Sequence, residues 1–283
     1  MNFSDFLYEA KSLKLSTDEL KTSTSITNTY IESYQETDID ELISLSTSLP
    51  RNIFSDIYLD KTDKTCKPRF IHIGVYDVTE RKTGEEKQVN VFLIVDACST
   101  KNDGVYRGST EEIYLFHDKL SHYTRSQILN TVSHEVIHAV QHYKEASEKY
   151  KDSIDGNNSS DYYLEPVERE ATFGGIVTQL YEEFKGYVSV IKKYNKLNDP
   201  ISIRYFTRRL LQFIDGVAFF VNTSPQNYDT LTALEVPEAL LNYIEFFKEI
   251  SKDKRTKHKF QTDLYKLIQR MKKDFEFVKG NLK

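Results

Sequence analysis

The chain has 283 residues, of which 39% are hydrophobic and 29% charged, a balance that supports a sizeable core in a globular protein. Its formal net charge of −5 offers no general attraction to nucleic acid. No apolar run approaches the roughly 20 residues of a membrane span, and Met1-Asn2-Phe3-Ser4-Asp5-Phe6-Leu7 lacks the basic start and apolar stretch of a signal peptide.

Only Cys66 and Cys98 are present, too few for a disulfide framework, so a reducing compartment is expected. Together these features predict a cytoplasmic protein with no membrane partner, and they make nucleic acid an unfavoured one.

Residues 1–55 read as helices with polar connections. Ser16-Thr17-Asp18-Glu19 fits a capping box, and the Ser/Thr-rich stretch Thr22 to Thr29 is expected to be a loop. Thr37-Asp38-Ile39-Asp40 opens a short helix predicted to run through Leu49, with Pro50 stopping it. From residue 68 the pattern changes. Phe70 to Val78 and Val89 to Val95 are β-rich runs joined by the charged stretch Glu80 to Lys87, which predicts a hairpin. A third run, Glu112 to His117, precedes the next helix.

That helix carries His134-Glu135-Val136-Ile137-His138. Residues four apart share one helix face, so His134 and His138 can present two imidazole nitrogens to one cation. Glu135 stands on the same edge, where a carboxylate can hold and deprotonate a metal-activated water. Leu129, Val132, Val136, Val140 and Tyr143 recur at helical spacing and form an apolar stripe, with Ser121 or Thr124 as the cap and no Pro or Gly until about Lys151. His117 and His122 lie outside this spacing and are expected at the surface or behind the ligands. His142, four residues past His138, is carried away from a metal held by the first two rings.

A zinc site needs a third protein ligand. The segment from Tyr162 to Gly175 offers one: Pro166 suits the first position of a helix, and Glu168, Ala171, Thr172 and Gly175 then share a face whose small residues permit close approach to the first helix. Glu168 is the expected ligand and Glu165 the reserve, while a cysteine ligand lacks paired spacing. Glu170 points to a different side. The polar loop from Asp152 to Asp161 separates the two helices.

The C-terminal third reads as helical. Ser202 to Phe213 and Ala218 to Val221 mix apolar residues with Arg204, Arg208 and Arg209. Thr223 to Asn227 forms a break, Pro237 starts a helix through Ile250, and Lys259 to Val278 makes another. The basic residues from Lys248 to Lys273 read as a solvated face.

His-Glu-x-x-His followed tens of residues later by Glu168-Arg169-Glu170-Ala171 resembles the gluzincin-type zinc metallopeptidases over roughly residues 112–180. Pro166-Val167-Glu168-Arg169-Glu170-Ala171 is similar to segments of ImmA-like and other small bacterial and phage-encoded members. The phrase Phe3-x-x-Phe6-Leu7-x-Glu9-Ala10 is similar to the start of some phage proteins.

The resemblance implies an α+β, zincin-like fold with a small twisted sheet over the active-site helix. It further implies Zn²⁺ held by His134, His138 and Glu168, Glu135 as general base, and a protein or peptide substrate. Some relatives have Asp where this chain has Thr172. In zincins an edge strand takes up an extended substrate, here Ile113 to Phe116 or its neighbour.

The expected division is an N-terminal helical segment (1–55), a catalytic core (56–185) and a C-terminal helical lobe (186–283). For the oxyanion donor, Tyr162, Tyr163, Arg169 and the arginines at 204, 208 and 209 stay open. Two other functions compete with general peptide hydrolysis: a phage or mobile-element binding protein that keeps the fold and metal with little hydrolysis, and a regulatory protease dedicated to one repressor partner. The intact Glu135 favours an enzyme.

Overall fold

The computed structural model describes residues 17–54, 57, 59, 67–80, 84–95, 102–141 and 166–282. The chain divides into two compact units. The first takes in Leu15–Asn158 and Val167–Gly175, and the second is chiefly Ile176–Lys283. The architecture is α+β: a mixed five-stranded sheet with several helices.

In the first unit, helices α1 (Thr17–Ser33) and α2 (Ile39–Leu45) precede strands β1 (Thr47–Ser48), β2 (Arg69–Thr79), β3 (Glu86–Val95), β4 (Gly104–Arg107) and β5 (Glu112–Phe116). The short helix α3 (His117–Leu120) leads into α4 (Arg125–Val140). The strand order is β1-β2-β3-β5-β4. The β2–β3 hairpin is antiparallel, with a bulge between His72 and Gly74, β3 and β5 are parallel, and β4 pairs antiparallel to β5. The edge beside β5 is therefore β4, and Ile113 to Phe116 is an interior strand with neighbours on both sides.

Strand alternation sorts side chains onto two faces. Val91, Leu93, Ile113 and Leu115 point to one face and pack with Ile26 and Tyr30 of α1 and Ile128, Val132, Val136 and Val140 of α4. Ile94, Tyr114 and Phe116 point to the other and pack with Leu49, Phe54, Ile57 and Leu59. Residues 17–45 thus belong to the same compact unit as the sheet, N-terminal to the expected boundary at 55/56.

Two local expectations are corrected. Thr22 to Thr29 lies inside α1, because Leu20, Ser23, Ile26, Thr27 and Tyr30 form a buried helical stripe. Its hydroxyls bond back along the helix, Ser23 Oγ to the Glu19 carbonyl at 2.8 Å and Thr29 Oγ1 to the Ser25 carbonyl at 3.0 Å, which removes their incentive to form a turn. Capped by Asp38, α2 ends at Leu45 rather than Leu49, since Thr47 and Ser48 pair with Phe70 and Arg69.

Helix α5 (Pro166–Lys196) contributes Val167–Gly175 to the first unit and its remainder from Ile176 to the second. There follow α6 (Pro200–Asn222), a 3₁₀ turn over Pro225–Thr230, α7 (Glu238–Leu241), α8 (Ile244–Ile250) and α9 (Lys254–Gly280). The expected single helix from Pro237 to Ile250 is two, interrupted at Asn242 and Tyr243. Stacking of Phe220 on Tyr228 and edge contacts among Phe246, Phe247 and Phe260 build this unit's aromatic core. Among the described residues no helix is long and apolar enough to cross a membrane.

Candidate metal centre

Helix α4 is fixed at its start by a reciprocal capping box. Thr124 Oγ1 accepts from Gln127 N–H, and Gln127 Oε1 accepts from Thr124 N–H at 2.8 Å. Of the two candidate caps, Thr124 is the one used. The stripe Leu129, Val132, Val136 and Val140 is buried as its spacing requires, and the helix closes at Gln141. Locked at one end and buried along one side, α4 can hold its imidazoles in place.

The second support is the start of α5. Glu168 sits in its first turn, where the helix dipole favours a carboxylate. Ala171, Thr172 and Gly175 on the same face are buried. A Cβ added at Gly175 would lie 2.1 Å from Asn130 Oδ1 and 3.0 Å from the Asn130 carbonyl oxygen, so glycine is what lets α5 come this close to α4. Off that face, Glu170 accepts a long hydrogen bond from Gln141 Nε2 at 3.5 Å.

The C-terminal half of α4 and the first turn of α5 bring His134, His138 and Glu168 together. The Nε2 atoms of the two histidines are 2.9 Å apart, and Glu168 Oε2 lies 3.5 Å from His134 Nε2 and 3.2 Å from His138 Nε2. His138 and Glu168 are buried, and the His134 side chain keeps 19% exposure, the one opening to solvent among the three. Oε2 of Glu168 is buried and accepts no hydrogen bond of ordinary geometry.

Donors about 2.0–2.1 Å from a tetrahedral ion stand about 3.3–3.4 Å from one another, and the three separations bracket that value. Three convergent donor atoms, one of them a buried carboxylate oxygen with no donor of its own, fit a cation. Burial pushes the Glu168 carboxyl up, but the charge of His138 and His134 more than reverses this and holds it well below its usual range. Positive charge at this point is what stabilises the buried carboxylate.

Glu135 is buried beside this group. Burial is the main cause that pushes its carboxyl up to about 7, against the lowering effect of His134. The negative charges of Glu168 and Asp103 add to the rise, and the Tyr106 backbone N–H, donating to Glu135, opposes it. A carboxyl titrating near neutrality can both take and return a proton.

Residues of β4 that the sequence reading did not single out complete the surroundings. Gly104 lies so close that a Cβ there would be 3.0 Å from Glu135 Cγ and 3.2 Å from Thr131 Cγ2. Just before it, the Asp103 carboxyl, hydrogen-bonded to Tyr123, is pushed up by burial. The signal for them was the turn-like Asn102-Asp103-Gly104 ahead of the β-forming Val105-Tyr106.

His117 is neither a surface residue nor part of the cluster. It is buried, with Nδ1 3.2 Å from the Tyr30 hydroxyl. His122 is exposed, as expected. Among the oxyanion candidates, Arg169 is half-buried on α5, and Arg204, Arg208 and Arg209 belong to the second unit. Glu165, His142, Tyr162, Tyr163, Cys66, Cys98 and the loop from Asp152 to Asp161 lie outside the described residues. Compared with known proteins, the chain matches no family model, no curated protein and no solved structure.

Proposed function

We propose that the protein is a zinc-dependent metallopeptidase with a zincin-like catalytic unit. The observation that carries this reading is the convergence of His134 Nε2, His138 Nε2 and Glu168 Oε2 within 3.5 Å of one another, with the Glu135 carboxylate buried next to them. Two imidazoles and one carboxylate form the donor set of a catalytic zinc site, which leaves one coordination position open. When bound there, Zn²⁺ supplies Lewis acidity, polarising a scissile carbonyl and making water acidic enough to lose a proton near neutral pH.

The protein's own residues do the rest. Glu135 accepts the proton of the attacking water on a carboxylate oxygen and returns it to the leaving amine, a shuttle that needs a carboxyl poised near neutrality. Gly104 leaves room for that side chain, and the Tyr106 N–H orients it. In the strand order β4 is the end strand beside the metal helix, and an extended peptide would add there as a sixth strand.

The test is zinc content measured together with protein cleavage on three samples. Wild type is expected to hold near-stoichiometric zinc and cleave. Glu168→Ala should lose the metal, and Glu135→Gln should keep it while losing cleavage by about 10²–10⁴-fold. Wild type that neither contains nor takes up zinc would overturn the reading. Zinc-loaded wild type with no cleavage of any protein substrate, indistinguishable from Glu135→Gln, would replace the enzyme with a metal-bearing binding protein.

A further inference from the structure

Helices α5 and α6 form an antiparallel hairpin in the second unit: Tyr187 meets Phe213 at 5.8 Å between centroids and Tyr194 stacks on Phe206 at 5.5 Å. The turn between them is tightly built. Asn198 adopts a positive φ of 54°, Asp199 N–H donates to the Tyr194 carbonyl, and the Asp199 carboxylate caps α6 through the N–H groups of Ile201 and Ser202. What this ordered tip presents to solvent is apolar: Leu197 is 63% exposed, Ile201 81% and Tyr205, one turn further on the same face, 58%.

Around these side chains stand Lys192, Lys193, Lys196, Arg204, Arg208 and Arg209, all exposed. The only acid between residues 192 and 209 is Asp199, already engaged as a cap, so this stretch carries +5 in a chain whose net charge is −5. None of the six cations pairs with an acid among the described residues. Two costs coincide at this tip: large apolar side chains held in water, and like charges concentrated without counterions.

We infer that the α5–α6 tip is a peripheral docking site for an anionic lipid surface, with Leu197 and Ile201 entering the headgroup–acyl boundary and the surrounding lysines and arginines meeting lipid phosphates and carboxylates. An apolar tip ringed by cations satisfies both costs at such a surface. The tip is already ordered, so docking requires no folding step. Nucleic acid fits the same charge less well, since it is gripped through flat aromatic faces on which bases stack. Here Tyr194 and Phe206 already stack on each other with 12° between their planes, Tyr205 lies edge-on to Phe206, and the two most exposed groups, Leu197 and Ile201, are aliphatic. The lack of a membrane-spanning segment, from which no membrane partner was expected, bears on crossing a bilayer and not on resting at its surface.

The experiment is cosedimentation of the full chain with phosphatidylcholine vesicles, with and without phosphatidylserine, alongside binding to a labelled DNA duplex. The variants are Leu197→Gln/Ile201→Gln and Arg204→Glu/Arg208→Glu, with unfolding curves confirming that each folds as wild type does. Wild type should bind only the phosphatidylserine vesicles. The charge reversals should weaken binding at least 25-fold, at about fivefold per cation lost, and the apolar pair by about tenfold. Wild type that ignores anionic vesicles overturns the inference. So does an apolar pair that binds as wild type does, and so does DNA binding that exceeds vesicle binding and falls with the same reversals. Glu168→Ala should bind vesicles like wild type, so the outcome stands apart from the peptidase reading.

Discussion

Replacing Gly175 by alanine is a direct test of how Glu168 is placed. Alanine in a helix interior is favoured over glycine by about 1 kcal/mol, which acts to stabilise the variant. Against this, the new Cβ would sit 2.1 Å from Asn130 Oδ1, forcing that buried side chain out of place, and 3.0 Å from the Asn130 carbonyl oxygen, forcing the helices apart by a few tenths of an ångström. Overpacking of this kind costs about 1–3 kcal/mol, so the net expectation is a loss of up to about 2 kcal/mol. Displacing the carboxylate from its partners should weaken zinc binding by about tenfold, the lower end of what is lost when a ligand's support is disturbed. Gly186 provides the contrast within the same helix, because a Cβ there meets no heavy atom within 4 Å. Gly186→Ala should therefore stabilise by about 0.5–1 kcal/mol. Urea unfolding and zinc competition against a chelator measure both effects, and Asn130→Ala in the Gly175→Ala background should recover part of each. Gly175→Ala with wild-type zinc affinity and a stability gain like that of Gly186→Ala would refute the close-approach account.

The same methods reach other parts of the unit. Gly104→Ala, whose Cβ would press on Glu135 Cγ at 3.0 Å, should lower cleavage about 10²-fold while zinc content stays at the wild-type level; loss of metal instead would show that β4 acts on the ligands and not on the base. In the metal-free protein, Glu135 keeps its proton up to about pH 7 while the unfolded chain releases it near the ordinary 4.5. The folded state thus binds more protons between these values, and stability falls as pH rises through that window, by a total on the order of 3 kcal/mol. Glu135→Gln should remove this slope, and parallel urea midpoints for the two metal-free proteins across the window would contradict it. Tyr30→Phe deletes the 3.2 Å partner of buried His117 and should cost about 1–3 kcal/mol in unfolding without touching zinc content. Burial lowers the basicity of His117, so the folded state favours the neutral ring, and in wild type this contribution is lost as pH falls below the ordinary histidine value of about 6.5.

Where a physical rule acts over a few residues, the sequence was readable. The i,i+4 spacing put His134 and His138 side by side, Thr124, one of two candidate caps, closed the helix start, and Glu168, Ala171, Thr172 and Gly175 fell on one buried face. The β2–β3 hairpin followed from two apolar runs flanking a charged turn. What escaped was decided by partners distant in the chain. The hydroxyl-rich Thr22 to Thr29 is helical because Ile26 and Tyr30 find the sheet, and His117 is buried because Tyr30, 87 residues earlier, meets its ring. Four-residue β4 is too short to show a period, so Gly104 and Tyr106 stayed invisible until the sheet order placed them over Glu135.

That sheet order also sets a timetable. Strand β4 lies between β3 and β5 in the chain but outside both in space, and its strand partner among the described residues, β5, is synthesised after it. It pairs with β5 as a tight hairpin, Arg107 opposite Glu112, while β5 reaches β3 only across the residues between Val95 and Glu112, the larger loop to close. The backbone that steadies Glu135 should therefore join the sheet together with β5, as one hairpin, in the pairing that is slowest to close. The surroundings of Glu135 should then be completed in the same step as the parallel β3–β5 contact that closes the core.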